Sequence, residues 1–291
     1  MKRMLVVFFI FLLTLSGCSP TDVTPSDGAP LRCLSFNVLA YDPDTDRFPK
    51  AASRGPAALS FLKEVDCDII GLQEATDANG FRWVPLKEIF DYDTCFRENL
   101  GNTYEFYSIT EADAPGEGLI IAYRKDRFER LDCGAFEYST FTDSYFHWVK
   151  LKDKKANRTL FVVNTHLSPN KNGNTEWGKA MRLPQSKELA NFLNTVVGDA
   201  PLIAPGDYNC RLDNPELCEP HQILQQSGRF FSAATEAIGS NADSSIDHIY
   251  FNIHQMTCES HTLCPARYTL PSGETLQMSD HRPVLATFTY L

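Results

Sequence analysis

The sequence predicts a single α/β domain built from buried β-strands and amphipathic helices. Apolar, β-rich runs alternate with helical stretches from Leu31 to the C-terminus. No repeat, low-complexity block or shift in composition interrupts this alternation after residue 30. The chain of 291 residues is 43% hydrophobic and 22% charged, which supplies enough apolar material for one large core.

Eight apolar runs of strand length carry the β-structure prediction, because they are short, rich in β-branched and aromatic residues and bounded by turn residues. They are Leu31–Val38, Ile69–Leu72, Tyr104–Ile109, Leu119–Tyr123, Leu160–Asn164, Leu202–Ala204, Ile246–Phe251 and Val284–Tyr290.

Three segments between these runs are predicted to be helical. They are Gly55–Val65, Trp83–Phe90 and a stretch that ends at Val197. In the third, Leu189, Phe192, Leu193, Val196 and Val197 follow the i, i+3, i+4 spacing of an apolar helix face. Pro184 marks either the first turn of this helix or a kink in it.

The N-terminus has the organisation of an export signal. Two basic residues precede Leu5–Leu15, an apolar run shorter than the ~20 residues of a membrane-spanning helix. Leu15-Ser16-Gly17-Cys18 resembles the bacterial lipobox, in which the cysteine is lipidated. We therefore expect a signal peptide at 1–17, a lipidated Cys18 with a flexible Pro-rich tether at 18–30, and the folded domain at 31–291. The protein would be exported and anchored to a bacterial membrane, on its periplasmic or cell-surface face.

The charge balance does not favour nonspecific binding of nucleic acid. The formal net charge is -10, and the short basic runs near residues 124–127 and 152–155 are interrupted by aspartates. Such binding depends on clustered Lys and Arg, so we expect no strong basic patch. We expect a monomer.

The cysteines other than Cys18 are even in number, so disulfides fit an exported chain. Cys210 with Cys218 and Cys258 with Cys264 are the pairs closest in sequence. Cys33 and Cys67 lie in apolar runs and are read as buried thiols, and no C-x₂-C pair supports a zinc site.

Polar and ionisable residues stand where the buried runs end or begin. They are Asn37, Glu74, His166, Asp207 with Asn209, Asp247, and Asp280 with His281. In layered α/β proteins, loops at strand ends converge on the ligand site. Each residue alone fits turn chemistry, but this set would be costly to gather in one place unless a bound cation compensated the acids.

In this order the segments resemble the endonuclease/exonuclease/phosphatase superfamily. The matching strings are SFNVLA, IIGLQEAT, EGLIIAYR, VVNTHLS, APGDYN, SSIDHIYF and SDHRPV, which span nearly the whole predicted domain. The resemblance implies a four-layer α/β/β/α sandwich of the DNase I type, with two packed mixed β-sheets flanked by helices. It also implies an active-site cleft at the sheet edges and the hydrolysis of a phosphate ester.

The resemblance also implies roles for single residues. Glu74 would be the main metal ligand, assisted by Asn37 and Asp280. Asp207 and Asn209 would orient or activate water and contact the phosphate. Asp247 would hold His281, and His166 would donate to a phosphate oxygen. Glu117 and Arg182 match substrate-side positions of some branches, and Gln185 lies with Arg182; all three also fit a supporting structural role.

The residue types suit this chemistry. Carboxylate and amide oxygens favour a hard cation such as Mg²⁺, with Mn²⁺ as a substitute, although one ion or two remains open. Ester hydrolysis places negative charge on phosphate oxygens, so a cation and two histidines would stabilise it.

The substrate stays open at this stage. Nucleases on DNA or RNA, sphingomyelinase-like phospholipid phosphodiesterases and phosphomonoesterases all share this pattern, and a phosphodiester is the first expectation. An aromatic stretch at 138–148 is either a lipid-contacting hairpin or, as we favour, a strand pair in the core. A catalytically dead surface-binding protein is the non-enzyme alternative, but no residue of the polar set is missing.

Overall fold

Two six-stranded β-sheets form the centre of the molecule. The computed structural model describes residues 30–39, 50–76, 90–108, 118–140, 144–170, 173–214, 218–237 and 245–291. The predicted signal peptide, Cys18, most of the tether, Glu117 and all but the last residue of the predicted helix at Trp83–Phe90 lie outside these residues.

The strands of the described chain are as follows. They are β1 (Leu31–Asn37), β2 (Ile69–Gln73), β3 (Tyr104–Ser108), β4 (Ile120–Arg124), β5 (Phe128–Glu137), β6 (Tyr145–Asp153), β7 (Arg158–His166), β8 (Leu202–Asp207), β9 (Phe230–Ser232), β10 (Asp247–Asn252), β11 (Met256–Leu263), β12 (Arg267–Thr269), β13 (Thr275–Gln277) and β14 (Val284–Tyr290).

The first sheet has the order β11-β14-β1-β2-β4-β3 and the second β5-β6-β7-β8-β10-β9. In each sheet one central pair is parallel, β1 with β2 and β7 with β8, whereas the other neighbours are antiparallel. The sheets are therefore mixed, as predicted. β12 and β13 form a separate two-stranded ribbon.

The described helices lie outside the sheets. They are α1 (Ala51–Val65), α2 (Tyr92–Leu100), α3 (Thr175–Phe192, continued by a π-helical turn at Leu193–Val197), α4 (Glu219–Gln225) and α5 (Ala233–Glu236). Asp91 and Asn174 begin α2 and α3 by accepting a hydrogen bond from the backbone N–H three residues later. Pro184 lies inside α3, so a position in the first turn is wrong.

The two sheets and the helices on their outer faces form four layers, and a buried apolar cluster lies between each layer and the next. One lies between the sheets and includes Cys33, Ile69 and Ile203. A second joins the first sheet to α1 and α2 and includes Leu34, and the third joins the second sheet to α3 and α4 and includes Leu189. Because side chains alternate across a strand, neighbouring residues such as Cys33 and Leu34 enter different clusters. The predicted α/β/β/α sandwich is confirmed.

The two sheets approach each other closely near the ends of β2 and β8. A Cβ atom added to Gly71 would lie 2.5 Å from Cγ of Pro205, so no larger residue fits there. Beside this contact, the Asn164 side chain of β7 reaches across to the first sheet. Its Nδ2 donates to the carbonyl oxygens of Leu72 and Ile120 at 2.7 and 3.0 Å, and its Oδ1 accepts from Gln73 Nε2 at 2.7 Å.

All eight predicted strands are present, with ends shifted by a few residues. The helical stretch that was predicted to end at Val197 does end there. The helix predicted at Gly55 begins four residues earlier, at Ala51. Of the aromatic stretch at 138–148, Tyr138 directly follows β5 and residues 145–148 lie in β6; Tyr138 and Phe146 are buried, which agrees with the core interpretation. In the described residues no helix has the length and apolarity needed to cross a membrane.

No disulfide joins the cysteines of the described residues, and Cys33 and Cys67 are buried as predicted. Cys258 lies within β11 and Cys264 directly follows that strand. Six residues of extended chain span about 20 Å, whereas disulfide-bonded Cα atoms lie within about 7 Å. A disulfide between Cys258 and Cys264 is therefore excluded, although the two are close in sequence.

Candidate active site

The ends of the central strands of both sheets converge at one edge of the sandwich. In the first sheet β1 ends at Asn37, which is in register with Gln73 at the end of β2, and Glu74 follows. In the second sheet His166 at the end of β7 is paired with Asp207 at the end of β8. Because β1 and β2 are parallel, and β7 and β8 are parallel, the residues at the ends of both strands in each pair lie at the same edge.

Asp207 is the centre of this cluster and is 1% exposed. Its Oδ2 lies 3.1 Å from Asn37 Nδ2, 3.4 Å from His166 Nε2 and 3.8 Å from His281 Nε2. Its Oδ1 accepts from the backbone N–H of Asn209 at 2.9 Å. One carboxylate therefore joins groups from both sheets and from the loop before β14.

Asp247 and His281 form a buried pair next to Asp207. Asp247 opens β10 directly opposite Asp207, and its Oδ2 accepts from His281 Nδ1 at 2.8 Å. Burial lowers the pKa of His281, but the carboxylates of Asp247 and Asp207 outweigh it and raise that pKa well above its usual value. Burial raises the pKa of Asp247 to about 6, while the charge of His281 opposes the rise. At neutral pH the pair is an imidazolium with a carboxylate, and Nε2 of His281 is a charged donor.

Glu74 and Asn37 form the other half of the cluster. Asn37 Nδ2 donates to Glu74 Oε1 at 3.0 Å as well as to Asp207, and its Oδ1 accepts from the backbone N–H of Leu39 at 3.0 Å. In this arrangement Asn37 positions two carboxylates. The amide oxygen accepts one backbone hydrogen bond and keeps a second lone pair, so direct ligation of a metal by Asn37 stays a prediction.

Backbone conformation also marks this edge. Glu74 and Asn209 have φ values of 58° and 46°, in the left-handed region that costs energy for residues with a side chain. Gly118 packs against the segment after Glu74, where an added Cβ would lie 2.7 Å from the backbone nitrogens of Ala75 and Thr76. Such strain persists only where the surroundings hold it, and it is typical of functional sites.

The donor set fits a hard divalent cation. Asp207, Asp247 and His281 offer ligand atoms within 4.8 Å of one another, the one such group found in the described residues. However, a protonated imidazole has no lone pair for a metal, so His281 fits a proton-donor role better. The carboxylates of Glu74 and Asp207, which share one amide donor, are oxygen ligands of the kind that Mg²⁺ and Mn²⁺ prefer.

Asp280 and Asn209 lie at the same edge. Asp280 Oδ1 is 3.8 Å from His281 Nε2, and the preceding Ser279 donates from Oγ to the carbonyl oxygen of Asn37 at 2.7 Å. Asn209 Nδ2 donates to the carbonyl oxygen of Leu167 at 2.8 Å, which fixes the side-chain amide. The eight polar residues at the predicted strand ends are thus gathered within one connected region.

The sequence profile of the Endonuclease/Exonuclease/phosphatase family matches residues 34–281. The chain belongs to this family. Its members are phosphoester hydrolases that depend on a divalent metal, so the prediction of a hydrolase acting on phosphate esters is confirmed at the level of the family. A comparison with curated proteins finds no match.

Solved structures of the Endonuclease/Exonuclease/phosphatase family share the fold. A family protein from Bacteroides thetaiotaomicron is 18% identical, with a TM-score of 0.70 over 91% of this chain and 99% of that chain. A mannosyl-6-phosphatase from the same organism is 18% identical, with a TM-score of 0.68 over 89% and 99%. The human Nocturnin catalytic domain with bound sulfate is 18% identical, with a TM-score of 0.64 over 90% and 94%.

Arg182 lies in the interior, next to the loop that follows His166. It is fully buried, its Nε and Nη2 lie 3.0 and 2.9 Å from Glu219 Oε1, and its Nη1 donates to the carbonyl oxygen of Ser168 at 3.2 Å. Gln185 accepts from the backbone N–H of Ser168 at 3.0 Å. Both residues therefore support the loop after His166, which is the structural role that the sequence also allowed, and substrate binding by Arg182 stays a prediction. Glu117 lies outside the described residues.

Two positioning residues escaped the sequence prediction. Asn164 belongs to the string VVNTHLS and Ser279 to SDHRPV, but the sequence assigned a site role only to their neighbours His166, Asp280 and His281. Ser279 accepts from the backbone N–H of His281 at 3.1 Å while it bonds Asn37. The sequence feature that could have identified them is an amide or hydroxyl residue inside a matching string that is predicted to be buried. Buried groups of this kind are normally hydrogen-bonded.

Proposed function

We propose that this protein is a Mg²⁺-dependent phosphoesterase, with phosphodiesters as the first expected substrates. The observation that supports it is the convergence of Asp207, the His281–Asp247 pair and Glu74 at one edge. A bound cation would supply charge compensation for the phosphate and the leaving oxygen.

The side chains divide the remaining work. Asp207 lies within reach of both histidines and would orient the attacking water, and its carboxylate would accept the water proton. His281, kept protonated by Asp247, would donate to a phosphate oxygen, and His166 would donate from the other side. Asn209, held by Leu167, would position the phosphate.

The test is hydrolysis with and without EDTA, followed by return of Mg²⁺ or Mn²⁺. A panel of bis-p-nitrophenyl phosphate, p-nitrophenyl phosphate, DNA, RNA, sphingomyelin, inositol phosphates and mannose 6-phosphate separates the alternatives. Metal-dependent turnover of one class supports the proposal and names the substrate type. No turnover by the folded protein with either metal would favour the binding-protein alternative.

We also propose that the chain is exported and anchored through a lipid on Cys18. The support is the sequence order of basic residues, apolar run and Leu-Ser-Gly-Cys. Cys18→Ala should move the protein from the membrane fraction to the soluble fraction of a bacterial host. Membrane retention of this variant would contradict the lipid anchor.

A further inference from the structure

A cavity of about 410 Å³ lies beside His281 and carries two arginines that the proposed reaction does not use. Its walls are formed by Asp247, Asp280 and His281 on the catalytic side and by Arg211, Arg282, Ser245, Ile246 and Leu263 around it. This volume lies in the range of ~300–1,000 Å³ that small-molecule sites occupy. The cavity is therefore large enough for a part of the substrate beyond the phosphate that reacts.

Arg211 is held in a fixed orientation at the cavity. Its Nε and Nη2 lie 3.0 and 2.9 Å from the two carboxylate oxygens of Asp213. A guanidinium has five N–H donors, so this two-point pairing leaves the N–H groups of Nη1 for another acceptor. The Arg211 side chain is 39% exposed, which keeps it accessible to a ligand.

Arg282 is held in a similar way by a different kind of partner. Its Nε donates to the carbonyl oxygen of Cys264 at 3.1 Å, and its Nη2 donates to that of Leu263 at 2.6 Å. Carbonyl oxygens orient the guanidinium but do not cancel its charge. The residue next to His281 thus brings a positive charge to the wall of the cavity.

The two arginines differ in charge balance, because Arg211 is paired with the carboxylate of Asp213 whereas Arg282 bonds carbonyl oxygens, which carry no net charge. Asp247 is paired with His281, and Asp280 is the predicted metal ligand. The chain as a whole has a net charge of -10, so attraction for a phosphate here depends on the charge of Arg282 and on the remaining N–H donors of Arg211. Two guanidiniums suit one additional phosphate, whereas a long nucleic acid would need many more basic contacts.

We propose that Arg211 and Arg282 bind a second phosphate group of the substrate, and that the enzyme prefers small phosphate esters carrying such a group near the ester that is cleaved. This inference rests on the proposed function and narrows its substrate class. The arginines are specificity residues, since they lie beside the reacting groups and bind a part of the substrate that stays intact.

The experiment uses substrates that differ by one phosphate. One pair is fructose 6-phosphate and fructose 1,6-bisphosphate, and the other is the p-nitrophenyl ester of thymidine 5′-phosphate without and with a 3′-phosphate. We expect kcat/KM to be at least about tenfold higher for the doubly phosphorylated member of the pair that is cleaved, mainly through KM. The preference should shrink as salt is raised, because the cavity is open to solvent.

Substitutions then locate the effect. Arg211→Met and Arg282→Met should each reduce the preference several-fold, because each removes one charged donor. The matched control is Arg124→Met. Arg124 bonds Asp126, also two residues later, but does so at the opposite end of the strands, next to the start of β2. This control should keep the preference.

The outcomes separate this inference from the proposed function. Turnover of both members of a pair at equal kcat/KM would overturn the second-phosphate site and leave the phosphoesterase intact. A preference that survives both arginine substitutions would also overturn it, since the second phosphate would then bind elsewhere. Absence of turnover even on the nitrophenyl phosphates of the panel would refute the proposed function itself.

Discussion

Replacing Asn164 with Leu tests whether this amide joins the two sheets. The substitution keeps the approximate volume but removes three buried hydrogen bonds, to the Leu72 carbonyl, the Ile120 carbonyl and the Gln73 amide. Each net hydrogen bond contributes about 1 kcal/mol. The expected loss is therefore about 3 kcal/mol of the free energy of unfolding. At about 2–4 °C per kcal/mol for a domain of this size, Tm should fall by about 6–12 °C.

The assay is thermal and urea unfolding of the two proteins side by side, with activity measured well below Tm. Because Gln73 precedes Glu74, we also expect a lower kcat in the folded variant. Asn252→Leu is the matched control. This residue is equally buried in the second sheet, but its amide bonds Ala200 and the His254 backbone N–H, away from the site. The reasoning is refuted if Asn164→Leu loses less than about 1 kcal/mol, or if both variants lose activity equally.

Three further predictions follow from single groups. Asp207→Asn and His281→Ala should each reduce kcat by about 10²-fold or more with little change in Tm, because each removes a charge aimed at the reacting phosphate; near-normal turnover would remove the role assigned to that residue. Burial lowers the pKa of His147 to about 4 from 6.5, so the unfolded chain binds more protons between these values. The contribution of neutral His147 to the free energy of unfolding is fully present above pH 6.5. It falls by about 3 kcal/mol as the pH drops to 4. His147→Phe should flatten that fall in urea unfolding at pH 7 and pH 4.5, with the exposed His254→Asn as control. Finally, Mg²⁺ should raise Tm in the native protein and raise it less in Glu74→Gln, measured by calorimetry after EDTA treatment.

The strands that carry the site were predictable because they are buried on both faces. The runs ending at Asn37, Glu74 and Asp207 are mostly apolar and almost fully buried, with a polar residue at the end, which is the pattern of a central strand. Two edge strands, β5 and β11, lack this pattern. β5 and β11 expose much of one face and read as polar sequence, so they were missed.

Side-chain roles at the site were less predictable than positions. Which way the Asn37 amide faces depends on two carboxylates from different sheets, and so on the distance between the sheets. Arg182 lies on a helix beside the site, but its partner Glu219 follows a separate segment of the chain. Neither arrangement follows from local pattern, because both result from packing between distant parts of the sequence.

The pairing of β1 with β14 has a consequence for the order in which this enzyme becomes active during synthesis. β1 brings Asn37 near the start of the domain, and its antiparallel partner β14 begins three residues after His281. β14 also lies between β1 and β11 in the first sheet. A nascent chain that has completed the second sheet still lacks His281 and two strands of the first sheet, β11 and β14. Catalytic competence therefore arrives with the final residues, and a chain truncated before β14 should be inert toward the phosphate esters around it.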